Sequence, residues 1–260
     1  MRCSLMHFEY TLITLNKTHM IIIPMMGKSS RFYSAGYQCP KYMLPVGGET
    51  VFELSVKSFK SVFESQHFLF IVRSDFGARE FVAERAAKLG ITDFRIKQLS
   101  QDTSGQAATV YSGSTDYQDA EPIVIFNIDT IRYGFEWPKK DEFGDGFLEV
   151  FVGDGSGWSF VEAREGTDQV LRTTEKIRIS NLCSNGLYGF SNIKIFRNAY
   201  TENQQSCLES SGENYIAPLY NSLISSGMNI KYKLLDKSTI VHCGVPEDYE
   251  RLVAQHKHLK

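Results

Sequence analysis

The sequence predicts an α/β fold in three layers, a mostly parallel mixed sheet with helices on both faces, and three observations carry that expectation. Apolar runs and amphipathic stretches alternate as β-α-β-α-β-α-β from Ile21 to Asp129, an order that implies right-handed crossovers and a covered parallel sheet. After Gly144 the texture changes to short alternating strands, which suit antiparallel additions to that sheet. No internal repeat, low-complexity linker or compositional break divides the chain of 260 residues. One domain over residues 20–260 is therefore expected, long enough to bury a full core.

The elements follow in order. Ile21, Ile22 and Ile23 are a β-branched run fit for a buried parallel strand, and Pro24, lacking an N–H, is expected to end it. Gly27, Ser29 and Ser30 then form a loop of small residues whose N–H and hydroxyl groups can surround phosphate oxygens. Thr50 and Glu53 make a capping box for a helix running to about Glu64. His67–Arg73 is a buried strand; Asp75 is expected to cap a helix over Phe76–Leu89, which Gly90 ends. Phe94–Leu99 is the third strand, Gly105–Tyr117 is mostly helical, and Pro122–Asp129 is an apolar strand with polar residues only at its end. Strands are expected near Phe147–Val152, Trp158–Ala163, Val170–Glu175 and Gly186–Phe190, and helices near Ile193–Ser210 and Tyr215–Ser226. Strands at Ile230–Leu235 and Thr239–His242 precede a last helix, whose Pro246, Glu247 and Asp248 suit a first turn. Residues 1–19 read as an extension or an upstream mis-start before Met20, with a possible edge strand where Phe8, Tyr10 and Leu12 alternate with polar residues.

Composition narrows the function. Lys plus Arg number 28 against 30 Asp plus Glu, without a long run of either sign, so neither a nucleic-acid stripe nor a polybasic membrane contact is indicated. Five cysteines are widely spaced without a C-x-x-C pair, as for free thiols in a reducing cytosol. No apolar run approaches the roughly 20 residues of a membrane span, and the N-terminus lacks a signal-peptide core. A cytoplasmic location is expected, and the oligomeric state is left open, a homodimer included.

Several stretches carry chemistry. Arg31 and Lys41 bring positive charge to the edge where the small-residue loop leaves the first strand. Asn127 and Asp129, at i and i+2 of a strand end, share a face, and a carboxylate there can hold Mg²⁺ against a triphosphate. Gly105 permits close backbone approach, and Gln98 and Gln101 nearby each carry a paired donor and acceptor. The sequence has no G-x-x-x-x-G-K-(S/T), no G-x-G-x-x-G after the first strand, no G-x-S-x-G and no zinc pattern.

The ordered set G-K-S-S-R-F, then P-K, then L-P-V-G-G within Met20–Gly48 resembles the signature of sugar-phosphate nucleotidylyltransferases, the pyrophosphorylases. Ser29 stands where that family usually has its second glycine. Ser104–Val110 is similar to the family's G-T-A-x-A segment, with Gln106 in place of threonine, and Glu175-Lys176 with Ser184–Tyr188 resembles its E-K and (A/S)-x-G-x-Y pair. Val241–Leu252 resembles D-x-G-T-P-E-D, with His242 in place of the aspartate and Val245 in place of threonine.

The resemblance spans nearly all of Met20–Leu252 and implies a Rossmann-like nucleotidyltransferase domain of the GT-A-like kind. It implies a nucleotide site at Met26, Gly27, Ser29, Ser30, Gln98, Gln101, Gly105, Gln106 and Asn127, and an acceptor site at Glu175, Lys176, Asn185 and Gly186. Arg31 would bind the outgoing phosphates, Lys41 would stabilise the α-phosphoryl group, and Asp129 would bind Mg²⁺. His242 is left with three readings: metal ligand, phosphate contact or filler; a neutral imidazole is a poorer Mg²⁺ ligand than a carboxylate.

The implied reaction joins an NTP (CTP, TTP or UTP) to a phosphorylated acceptor, a sugar 1-phosphate favoured, with release of pyrophosphate. The family most often serves surface or capsular polysaccharide synthesis. Three alternatives stay open: a cytidylyltransferase for a small phosphorylated alcohol or amide, a non-catalytic nucleotide-binding protein, and a glycosyltransferase. The last usually carries D-x-D where this chain has Asn127-Ile128-Asp129.

Overall fold

The structure, a computed structural model, describes residues 19–257. The edge strand expected near Phe8–Leu12 lies outside them. The first half gives β1 (Met20–Met25), α1 (Ser30–Ser34), a small hairpin of β2 (Pro45–Val46) and β3 (Glu49–Thr50), and α2 (Val51–Val56). Then follow β4 (His67–Arg73), α3 (Ala78–Lys88), β5 (Phe94–Leu99), α4 (Gln106–Gly113), β6 (Ile123–Phe126) and β7 (Thr130–Arg132). The second half gives α5 (Lys140–Phe143), β8 (Gly146–Val152), β9 (Ser159–Ala163), β10 (Val170–Glu175), β11 (Leu182–Phe190), α6 (Ile193–Ser211), α7 (Tyr220–Ser225), β12 (Ile230–Leu235), β13 (Ile240–His242) and α8 (Pro246–Lys257).

Nine strands form one sheet among the described residues, in the order β10-β9-β11-β6-β1-β4-β5, with β8 pairing β11 and β12. The contacts of β1 with β4 and β6, and of β4 with β5, are parallel; β11 enters antiparallel to β6, so the sheet is mixed as expected. Side chains alternate across it with period two. Ile21, Ile23, Phe68, Phe70, Val124 and Phe126 pack on one face under α2 and α3. Met20, Ile22, Leu69, Ile71, Ile123 and Ile125 pack on the other under α4, α6 and α7. That two-sided burial explains why the strands are apolar throughout.

Three expectations are corrected. Pro24 does not end β1 but pairs with Ile71. Met20 donates its N–H to Pro122 on the β6 side, so Pro24, an even number of residues on, faces that same side, where pairing with β6 has already stopped at Ile22; no donor is missed there. The helix after β4 is not capped by the Asp75 side chain, which the Arg73 guanidinium holds at 2.9 Å. Phe76 and Gly77 instead turn left-handed, and α3 starts at Ala78. The helix expected from Thr50 to Glu64 breaks into α2 and a 3₁₀ segment at Lys57–Val62, although its capping box is present.

A second, two-stranded sheet of β7 and β13 stands apart from the main one. It presses α2, α8 and the hairpin into a satellite core around Phe32, Val51, Ile131, Cys243 and Leu252. This small sheet brings the chain's last motif beside the end of β6.

Candidate active site

A cleft of about 1100 Å³ opens over the C-terminal ends of β1 and β6, the edge where open α/β sheets bind ligands. Its near wall is the loop after β1. Met26, Gly27, Ser29, Ser30 and Arg31 all line it, and a Cβ on Gly27 would meet nothing within 4 Å, so the space beside that backbone is free for a ligand. Ser29 sits in the left-handed region at φ 52 and uses its Oγ to accept the Lys41 N–H at 3.1 Å. This contact ties the loop to the P-K segment.

On the floor, Lys41 Nζ lies 2.5 Å from Asp129 Oδ2. Burial works against the Asp129 charge, but the Lys41 ammonium, its hydrogen bond and the nearby His242 outweigh it and hold the carboxyl below the usual range. Asp129 is placed by the segment after β13: its carbonyl accepts the Cys243 N–H at 2.7 Å, and its Oδ2 would lie 3.3 Å from a Cβ on Gly244. Beside it, Gln106 Nε2 donates to Asn127 Oδ1 at 2.5 Å.

The far wall carries a second group. Ser159 donates to Glu175, which is half-buried; burial pushes its carboxyl up, partly offset by Ser159 and Lys176. β10 ends at Glu175, and Lys176 turns to φ 57, so the two side chains reach one cleft from adjacent positions. Lys176 Nζ donates to Tyr215 Oη at 2.5 Å and lies 4.6 Å from that ring, and the hydrogen bond raises the lysine's pKa. His242, at the end of β13, packs with its ring tilted against those of Trp158 and Phe151, centroids 4.6 and 5.5 Å away. Burial lowers its pKa against the pull of Asp129 and Asp248, and its Nε2 is buried without a hydrogen-bond partner. Phosphate-sized anions would thus meet positive charge and N–H donors at the near wall, and hydroxyl-bearing groups would meet Glu175 and Ser159 at the far one.

A crystal structure of a nucleoside-diphosphate-sugar pyrophosphorylase from Vibrio cholerae superposes with a TM-score of 0.85, at 46% identity, over 91% of this chain and 100% of that one. This chain belongs to the sugar-phosphate nucleotidylyltransferases. It is a nucleotidyltransferase with their Rossmann-like fold. More distant relatives share the fold: the inositol-1-phosphate CTP transferase of T. maritima (TM-score 0.70, 16% identity, 93% of this chain and 97% of that one) and a UDP-glucose pyrophosphorylase complexed with UDP-glucose (TM-score 0.70, 14%, 93% and 99%). No family model and no curated protein sequence matches the chain.

The cleft of this nucleotidylyltransferase collects most residues singled out in the sequence, and it redistributes some of their tasks. Gln98 and Gln101 are both exposed, and neither lines the cleft, whose wall takes up this stretch of chain only from Asp102 onward. Gly105, at φ 135, is required by Asn214: a Cβ there would lie 2.6 Å from its nitrogen and 2.7 Å from its oxygen. Gly186, at φ 91, is required by Asn127, whose Nδ2 would lie 2.4 Å from such a Cβ. Asn185 lines the cleft, but its amide is engaged below it, donating to Glu149 at 2.9 Å and accepting the Leu187 N–H at 3.0 Å.

Other lining residues escaped the sequence reading. Lys28 meets Asp102 at 2.7 Å, and Asp102 also pairs with Arg73, whose hydrogen bonds with that of Lys28 keep the aspartate's pKa low. Ser159, Trp158 and Tyr215 belong to no motif, and sequence spacing holds no sign of them. Glu149 did leave a signal, a lone carboxylate inside the apolar run Phe147–Val152.

Proposed function

We propose that this enzyme joins an NTP to a phosphorylated acceptor, a sugar 1-phosphate favoured, with Mg²⁺ and with release of pyrophosphate, making activated sugars of the kind used for surface or capsular polysaccharides. The observation that carries this reading is the Lys41–Asp129 pair at 2.5 Å on the cleft floor, beneath a loop that Ser29 anchors to Lys41. An oxygen of the acceptor's phosphate attacks the α-phosphorus and forms a new P–O bond. The bond from that phosphorus to the bridging oxygen breaks, and pyrophosphate leaves with its electron pair. The attacking oxygen is already anionic near neutral pH, so no general base is required, and catalysis reduces to alignment and charge neutralisation.

The donor set fits Mg²⁺, which takes one or two protein carboxylates and fills its remaining positions with substrate phosphates and water. Asp129 is the carboxylate that would hold it, and the bound ion would neutralise phosphate charge. His242, packed on Trp158 and Phe151, supplies no carboxylate to this set. Lys41, beside Asp129 on the cleft floor, would stabilise the α-phosphoryl oxygens. Arg31, exposed at the near wall, meets the outgoing phosphates. Gly105, Gln106 and Asn127 shape the nucleoside end, and Glu175 and Lys176 receive the acceptor's hydroxyls and phosphate.

The test is pyrophosphate release with Mg²⁺, running CTP, TTP, UTP, GTP and ATP against sugar 1-phosphates and small phosphorylated alcohols and amides. Release with a sugar 1-phosphate supports the reading. Release only with a phosphorylated alcohol or amide replaces the acceptor class, and silence throughout with intact nucleotide binding overturns the reaction. On the active pair, Lys41→Ala should lower kcat far more than it raises the acceptor KM; the reverse pattern would move Lys41 to acceptor binding.

A further inference from the structure

Arg132, Glu149 and Asn185 are buried to within 4%, 1% and 1% of full exclusion from solvent, yet all three are polar and two carry formal charge. Arg132 Nη2 donates to Glu149 Oε1 at 3.0 Å and Nε to Oε2 at 3.1 Å, a two-pronged pair, and Asn185 Nδ2 donates to the same Oε2 at 2.9 Å. Such a pair is weak evidence for stability, because removing two charges from water costs about what their attraction returns, and apolar replacements of similar volume are often as stable. Its placement gives it another purpose. β7 pairs with β13 and with no strand of the main sheet, so Arg132–Glu149 is a direct polar link from the small sheet to β8.

The same carboxylate also holds the irregular stretch of β11, where the register with β8 shifts between Ser184 and Tyr188. There the Gly186 carbonyl accepts the Asn127 N–H at 3.1 Å. A closed circuit results, from Asn127 and Asp129 along β7 to Arg132, through Glu149 to Asn185, and back through Gly186 to Asn127. Two further bonds brace it, Ser58 Oγ accepting the Arg132 N–H at 2.9 Å and Ser55 Oγ donating to the Thr130 carbonyl at 2.8 Å.

We infer that Arg132, Glu149 and Asn185 are positioning residues that fix Asp129 and Asn127 beneath the nucleotide, an inference resting on the reaction proposed above. None of the three touches substrate through its polar group. They act by setting where the metal-binding carboxylate stands relative to Lys41.

The test compares wild type with Asn185→Ala and with the paired change Arg132→Met, Glu149→Leu, which removes both charges and leaves neither unpaired. The measurements are thermal midpoint, amide hydrogen exchange, and steady-state kinetics on the active nucleotide and acceptor pair. Positioning predicts a paired variant with a near wild-type midpoint, faster exchange confined to 127–132 and 184–187, and kcat lower by about a hundredfold with little change in nucleotide KM. Wild-type exchange in both segments together with wild-type kcat would reduce the circuit to packing and overturn the inference. Should the paired variant fail to fold, Asn185→Ala decides by the same exchange and kcat signs. Exchange needs no substrate, so a wild-type enzyme silent on every acceptor sinks the proposed reaction while leaving this question answerable.

Discussion

Ser29 shows how a single side chain can hold an unfavourable backbone. The left-handed conformation costs an L-residue about 1–2 kcal/mol, and Ser29 returns part of it through the bond from the Lys41 N–H, a contact worth about 1 kcal/mol. Replacement by alanine loses the bond and keeps the strain. Replacement by glycine loses the bond but relieves the strain, at an entropic cost of about 0.5–1 kcal/mol. In urea unfolding Ser29→Gly should therefore be nearly as stable as wild type and Ser29→Ala less stable by about 1 kcal/mol; equal stabilities for the two would mean that Ser29 is unstrained. Glu175 makes a pH-dependent prediction. Its carboxyl is raised by burial, so its protonated form suits the folded state and its charged form does not. The stability it contributes is present below its unfolded pKa and is lost as pH rises through its folded pKa. Glu175→Gln should thus be more stable than wild type at about pH 8 and nearly equal at about pH 4; a gap that widens toward acid would contradict the burial argument.

Elements were legible where their signal is local. The Ile21–Ile23 run, the Thr50–Glu53 capping box and Pro246 at the head of α8 each carry their own cause in adjacent residues. What local pattern cannot hold is which residues a cleft gathers: Gln98 and Gln101, expected at the base edge, stay exposed outside it, while Asp102, the next residue along, lines it. The same limit applies to Asn185 and Gly186, whose neighbours come from β8 and the end of β6. A glycine at 186 signals close approach in the sequence, and one group that approaches it is Asn127. Gly186→Ala would strain a residue at φ 91 and push its Cβ within 2.9 Å of Asn127 Cβ, which a rotamer change cannot relieve. We expect a loss of about 1–3 kcal/mol in stability and weaker nucleotide binding, since Asn127 would leave Gln106. Nucleotide titration by calorimetry checks the second part, and wild-type affinity in the folded variant would separate Asn127 from the nucleotide site.

At the scale of the molecule, the parallel half of the sheet supplies the near wall and the antiparallel additions supply the far one, so a ligand filling the cleft would span both. The charge balance of the floor decides how they communicate. Lys41 and Asp129 satisfy one another without ligand, so a triphosphate arriving without a metal would compete with Asp129 for Lys41 and leave that carboxylate facing phosphate. With Mg²⁺ the carboxylate would gain a new partner, and the lysine would be left to meet the phosphate. Nucleotide should consequently raise the thermal midpoint in the presence of Mg²⁺, with about 2.7 kcal/mol of stabilisation at a hundredfold excess over Kd. Chelating the metal, or replacing Asp129 by asparagine, should remove most of that increment, and the two together should remove no more than either alone. An increment that survives both treatments would mean that the nucleotide is held by the loop after β1 and its cations alone, and that Asp129 serves only to orient Lys41.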